Sequence, residues 1–142
     1  MKVRDVMSSP AISIGADETV AVAARTLTHY NIGVLPVRGG KEQLCGVVTD
    51  RDIVTRCLAT GKLPEKTLVR EVMTPRVMSV GPEQQAARAA HMMGQQQVRR
   101  LPVVENGKLC GMVSLGDLAG REEMSYDAAD ALSEISDPVS RR

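Results

Sequence analysis

Aromatic residues are almost missing from this chain of 142 residues: there is no Trp, no Phe, and Tyr only at Tyr30 and Tyr126. A surface that stacks nucleobases on aromatic rings, as single-strand binders use, therefore lacks its parts. A surplus of one charge is missing too. Lys and Arg number 18 against 17 Asp and Glu, a net charge of +1, which argues against a surface that holds nucleic acid or anionic lipid by counterion release. The three cysteines, Cys45, Cys57 and Cys110, are odd in number and far apart, so neither a disulfide framework nor a CxxC metal knuckle is present. The opening MKVRDVMSSP has no apolar stretch of the secretory kind, and no apolar run approaches the roughly 18 residues of a membrane span. The expectation is a reduced, cytoplasmic protein without a membrane segment. Its core must be Val, Ile, Leu, Ala and the 8 Met.

Catalytic signatures are absent as well. There is no GxGxxG, no GxxxxGK[ST], no HExxH and no GxSxG, and no Ser, His and Asp fall into nucleophile, base and orienter. His29 and His91 have no carboxylate or cysteine at ligand spacing. No catalytic residue and no metal ligand is assigned, and a non-enzyme is expected.

What the chain does have is an internal repeat. Val3-Arg4-Asp5-Val6-Met7 returns 66 residues later as Val69-Arg70-Glu71-Val72-Met73, and the register holds without a gap from 3–38 onto 69–104. Ser13, Gly15, Leu35, Pro36 and Val37 meet Ser79, Gly81, Leu101, Pro102 and Val103. Beyond a turn one residue shorter, Leu44-Cys45-Gly46 matches Leu109-Cys110-Gly111. Each copy closes on Gly46-Val-Val-Thr49-Asp-Arg-Asp52 or Gly111-Met-Val-Ser114-Leu-Gly-Asp117. Periodicity predicts a helical turn over 3–7 and a short strand over 11–14. Asp17 is the predicted N-cap of a helix over 18–30, whose Val20, Ala24 and Leu27 share a face. Apolar β-branched runs at 34–37 and 44–49 are split by Gly39-Gly40, a hairpin signal that Asn106-Gly107 supplies in the second copy. A helix over 52–59 ends at Gly61. The fold class is α+β: two βαββα units, each too small to bury enough surface alone, packed about a pseudo-twofold axis.

A tandem repeat of this length and order, with an LPV strand and a G-h-h-[T/S]-x-x-D ending, resembles a pair of CBS domains, a Bateman module, of the stand-alone bacterial type. The domains are then repeat 1 over 1–61, a linker over 62–68, repeat 2 over 69–121, and a C-terminal helix and tail over 122–142. The resemblance implies clefts between the repeats that take AMP, ADP, ATP, S-adenosylmethionine or NAD as a regulator, with Mg²⁺ alongside ATP. It also implies a homodimer that signals to an effector protein in trans through a change of shape or dimer packing. The other reading is a ligand-independent interaction module with vestigial clefts.

The ending motif has a physical account of its own. A carboxylate accepts two hydrogen bonds, which suits the vicinal hydroxyls of a ribose, so Asp52 and Asp117 are the ribose candidates. Thr49 and Ser114, three residues earlier at a helix start, are phosphate candidates together with Arg51. The same spacing also makes a capping box, which leaves these residues a purely structural alternative. Arg51 has no counterpart at Gly116, so the Asp52 cleft is expected to bind more tightly. Arg99 and Arg100 are either phosphate hooks or a solvated strand-edge pair. Base-pocket walls fall to Ala11, Ile12, Ile14, Ile32, Leu35, Pro36, Val77, Met78, Val80, Val98, Leu101 and Pro102. Cys45 and Cys110 share a repeat position and read as small core residues, with a redox pair as the alternative. In the tail, Met124, Ala128, Leu132 and Ile135 line one helical face, stopped at Asp137-Pro138 and expected to dock on the chain's own module. Ser140, Arg141 and Arg142 are expected to fray.

Overall fold

The computed structural model describes residues 1–138. In chain order the elements are β1 (Ile14–Gly15), α1 (Val20–Tyr30), β2 (Val34–Arg38), β3 (Leu44–Thr49), α2 (Asp50–Ile53), α3 (Val69–Val72) and β4 (Thr74–Pro75), followed by α4 (Ala86–Gln96), β5 (Arg100–Glu105), β6 (Lys108–Ser114), α5 (Leu115–Ala119) and α6 (Ser125–Ile135). A 3₁₀ turn over Val3–Asp5 opens the chain. The two repeats and the C-terminal helix are thus present, as mixed α+β.

The folded units are not the repeats themselves. One compact unit takes Met1–Ala11, Met78–Asn106 and the chain from Cys110 onward; the other takes Ile12–Val77 with Gly107–Leu109. The opening turn of each copy is therefore built into a unit whose remainder comes from the other copy. Hydrophobic burial explains why. Val3 and Val6 are buried in one core with Val80, Met93, Leu101 and Val113. Val69 and Val72 are buried in the other with Leu35, Val37, Val48 and Ile53.

The exchanged segments are held alike in both units. In the unit containing β1–β4, the sheet runs in that order, with β1 parallel to β2. Its edge strand β4 pairs antiparallel with β3, Gly46 opposite Pro75 and Val47 opposite Thr74. In the other unit, Val80 bridges Val103 in parallel and Ser8 bridges Met112 antiparallel, so the β5–β6 hairpin gains the same two flanks. A Cβ on Gly46 would lie 2.5 Å from the Thr74 carbonyl oxygen, and one on Gly111 would lie 2.7 Å from that of Ser8. The motif's strand glycine is the space in which the exchanged segment lies. Polar contacts repeat too: Arg4 pairs with Glu83, and Arg70 with Asp17. Arg56 donates to the carbonyls of Val72 and Met73, while Arg121 donates to that of Asp5 at 3.1 Å.

Several local expectations need correction. Asp17 pairs with Arg70 at the surface, and Thr19 caps α1 instead, its hydroxyl accepting from the Val22 N–H at 3.3 Å. The first strand is Ile14–Gly15 rather than 11–14. The helix foreseen over 52–59 begins at Asp50, because Thr49 is its N-cap, and it continues as a π-helix over Val54–Leu58. The turn at Gly39-Gly40 places Lys41 and Glu42, not glycine, at positive φ. On α1, Ala23 rather than Ala24 is fully buried beside Val20 and Leu27.

The tail helix α6 packs on α4 within one unit. The approach is close: a Cβ on Gly94 would be 3.3 Å from the Ala131 Cα. Gln97 donates to the Glu134 and Asp137 carbonyls and ties down the helix end. Met124, Ala128 and Ile135 are buried as the pattern predicts, with Ala131 beside them, but Leu132 is 44% exposed. The fraying foreseen for Ser140, Arg141 and Arg142 lies outside the described residues.

Candidate functional site

Both copies end in the same strand-to-helix turn. Thr49 leaves β3 in extended backbone and its hydroxyl accepts from the Asp52 N–H at 3.0 Å, while the Thr49 N–H donates to Asp52 Oδ2 at 3.0 Å. Ser114 and Asp117 form the same reciprocal pair, at 3.0 and 2.9 Å. The capping-box reading is therefore realised in both copies. It occupies one carboxylate oxygen and leaves the other, together with the hydroxyl proton, outside the box. The second oxygens differ. Asp52 is 8% exposed and its Oδ1 lies 3.6 Å from the Arg56 guanidinium. Asp117 is half-buried, and its Oδ1 has no hydrogen-bond or ion-pair partner among the described residues.

The residues facing these turns differ more. In the first copy the Asp50 N–H donates to the Gly33 carbonyl at 3.2 Å, and the Asp50 carboxylate stands over the glycine, 3.6 Å from where a Cβ would be. In the second, the Leu115 N–H donates to the Arg99 carbonyl at 2.8 Å. Arginine thus replaces glycine, and leucine replaces the acid. Arg99 and Arg100 are exposed and their side chains have no hydrogen-bond or ion-pair partner among the described residues, and the same holds for Arg51.

Arg99 and Arg100 are among the residues lining an open recess of about 530 Å³, whose lining also includes Ser114 and Leu115 and, from the tail helix, Ala128 and Leu132. All of these belong to one unit. The structure thus brings together three of the predicted phosphate residues, Arg99, Arg100 and Ser114. It adds a wall that sequence reasoning missed. The signal was Leu132, an apolar residue on the docked face of α6 that packing leaves uncovered.

The predicted base-pocket residues fall into two groups. Ile14, Leu35, Pro36, Val80, Leu101 and Pro102 are buried inside their units. Ala11, Ile12, Ile32, Val77, Met78 and Val98 retain exposed surface. These are the ones that can meet a ligand. Cys45 and Cys110 are half-buried against the cores: Cys45 Sγ donates to the Val37 carbonyl and Cys110 Sγ to that of Val103, both at 3.3 Å. Burial pushes both thiols up from their ordinary pKa, and Glu105 adds to the rise at Cys110. Among the described residues no three His, Cys, Asp or Glu side chains are grouped to hold a metal ion.

Comparison with known proteins divides the chain by repeat rather than by folded unit. The family model "CBS domain" matches residues 3–59 and again 69–122. This chain belongs to the CBS domain family. The CBS domain-containing protein YhcV of Bacillus subtilis is 38% identical over 136 residues, 94% of each chain. The crystal structure of Hypoxic Response Protein I, which holds two coordinated zinc ions, superposes with a TM-score of 0.80 at 32% identity, covering 85% of this chain and 98% of that one. The CBS domain pair of protein MJ0100, solved in complex with 5′-methylthioadenosine and S-adenosyl-L-methionine, gives 0.74 at 26% identity over 84% and 94%. Among the described residues of this CBS pair, no helix is long and apolar enough to cross a membrane.

Proposed function

We propose that this CBS pair is a non-catalytic regulatory module whose two strand-to-helix turns bind an adenine-containing ligand: AMP, ADP, ATP, S-adenosylmethionine or NAD, with Mg²⁺ accompanying ATP. Asp52 and Asp117 take the ribose. Thr49, Arg51, Ser114, Arg99 and Arg100 take the phosphates, and the exposed apolar residues before each LPV strand flank the base. The observation that carries this reading is the duplicated capping box, which fixes each carboxylate at a helix start with its second oxygen outside the box, 3.6 Å from the Arg56 guanidinium in Asp52 and without a partner among the described residues in Asp117. The adenosyl ligands held by the MJ0100 pair support the ligand class.

Comparing Arg51 with Gly116 favours the first copy. The open recess, two arginines against one and the missing acid favour the second, and we assign the stronger site there. Homodimerisation and an effector in trans complete the proposal: the ligand shifts the module between two forms of unequal affinity, and the effector reads the form. The free thiols fit a reducing, cytoplasmic compartment.

Thermal unfolding with each of the five ligands tests the reading. A ligand at 100 times its Kd adds about 2.7 kcal/mol, several degrees in Tm. The shift is expected to fall further in Asp117→Ala than in Asp52→Ala and to vanish in the double variant. No shift with any ligand, in protein shown to be free of carried-over nucleotide, would leave the ligand-independent interaction module.

A further inference from the structure

A single guanidinium joins the first strand-to-helix turn to the exchanged segment. Arg56 Nη1 donates to the Val72 carbonyl at 3.0 Å, to the Met73 carbonyl at 3.2 Å and to the Thr74 hydroxyl at 3.1 Å. Its Nη2 lies 3.6 Å from Asp52 Oδ1, the oxygen outside the capping box. All of these residues belong to one unit. The three acceptors sit where α3 ends and β4 begins, the stretch that completes the sheet beside Gly46. Carbonyls at a helix end favour a cation. The Asp52 side chain is 11% exposed, so this pair is less screened than a surface ion pair, and losing one charge leaves the other poorly solvated.

The second copy lacks this link. Arg121 is the counterpart of Arg56 in the register that sets Asp117 against Asp52, and it too donates to an exchanged segment, at the Asp5 carbonyl. It pairs with no carboxylate among the described residues. The cause is local. After Asp52 the chain runs on through the π-helix over Val54–Leu58, which carries Arg56 one turn from the aspartate. After Asp117 the helix stops at Ala119 with Gly120 as its C-cap, and Arg121 lies beyond its end.

We propose that the Asp52–Arg56 pair is a conformational coupling built into the first copy only. The carboxylate keeps the guanidinium aimed at the exchanged segment, and whatever engages that carboxylate loosens the segment. Linkage makes the effect reciprocal: loosening the segment frees the carboxylate. Arg56 is thus a positioning residue. The coupling stands without the nucleotide reading; its use as a signal rests on that reading, in which an occupant of the first turn donates to Asp52 and competes with Arg56. The loosened segment leads, past Val77, into the other unit. The two turns then divide the work, the second binding more strongly and the first passing its occupancy along the chain.

Amide exchange of the full chain, followed without nucleotide over residues 69–74 and 3–8, tests the coupling. Asp52→Asn removes the charge but keeps an oxygen that accepts from the Thr49 N–H. Exchange over 69–74 is expected to quicken about fivefold, within the range by which neighbours in one network couple. Asp117→Asn alters the same kind of cap and is expected to leave 3–8 unchanged. Arg56→Ala quickens 69–74 further, and Asp52→Asn/Arg56→Ala quickens it no more than Arg56→Ala alone, because the aspartate acts through the arginine. Thermal melts confirm that each variant folds, and Arg56→Gln replaces Arg56→Ala if the latter does not. Unchanged exchange over 69–74 in Asp52→Asn overturns the proposal. So does a double variant whose effect is the product of the two single ones. Equal quickening of 3–8 in Asp117→Asn also overturns it, by assigning the effect to the cap. With no nucleotide present, none of these outcomes bears on the nucleotide reading, which the ligand melts decide.

Discussion

At Gly46 a single methyl group would meet the Thr74 carbonyl at 2.5 Å and the Met73 sulfur at 3.1 Å, and at Gly111 the Ser8 carbonyl at 2.7 Å. Backbone oxygen cannot rotate away as a flexible side chain can, so the exchanged segment must move as a whole. Gly46→Ala and Gly111→Ala are each expected to lower stability by about 2 kcal/mol, read as a drop of several degrees in Tm. Gly40→Ala, with nothing within 4 Å, is the neutral comparison. The thiols beside these glycines make a pH prediction. Burial raises Cys45 and Cys110 above the ordinary thiol pKa, so folding favours their protonated form. Their contribution is complete below the unfolded thiol's pKa and is lost as pH rises through the higher folded value. Alkylation of both is expected to be slower than that of a free thiol at pH 8 and to accelerate only in more alkaline buffer; labelling at the free-thiol rate contradicts the partly buried geometry.

Among the elements, α6 shows what a sequence pattern reveals and what it hides. The face of Met124, Ala128 and Ile135 was legible from spacing, because burial on one side of a helix imposes its period. Docking within the chain's own module followed from that face. The cavity did not, since Leu132 carries the same apolar signature whether a protein surface or an open recess lies opposite. The repeat, the LPV strands and the Asn106-Gly107 turn were legible because composition there is dictated by local geometry: φ is positive at both turn residues. Thr19 rather than Asp17 caps α1 because Arg70, brought alongside by the exchanged segment, takes the aspartate. That choice depends on a residue of the other copy, so no local window contains it. Ile135→Ala tests the docking. Ile135 is 3% exposed, and the truncation is expected to cost about 2–3 kcal/mol in urea unfolding. Amide exchange in α4 should quicken, while α1, in the other unit, keeps its protection.

For the whole molecule, the consequence of the exchange is that repeating units and folding units are cut at different places. Alignment cuts the chain where similarity begins, at residues 3 and 69; hydrophobic burial cuts it at Ala11 and Val77. A fragment spanning 1–61 therefore carries Val3 and Val6 without the core that buries them, and it lacks Val69, Val72 and β4, which complete its own. A fragment spanning 12–77 is of similar length yet holds every buried residue of that second core. In domains this small, stability is the narrow surplus of burial over chain entropy, and two missing valines and an edge strand are enough to erase it. Circular dichroism melts should show cooperative unfolding for 12–77 and none for 1–61. Mixing 1–61 with 62–142 should restore a cooperative transition, because each half carries the other's missing segment. Cooperative melting of 1–61 alone would mean that the opening turn can serve its own copy, and the exchange would then be one arrangement of two rather than the condition for folding.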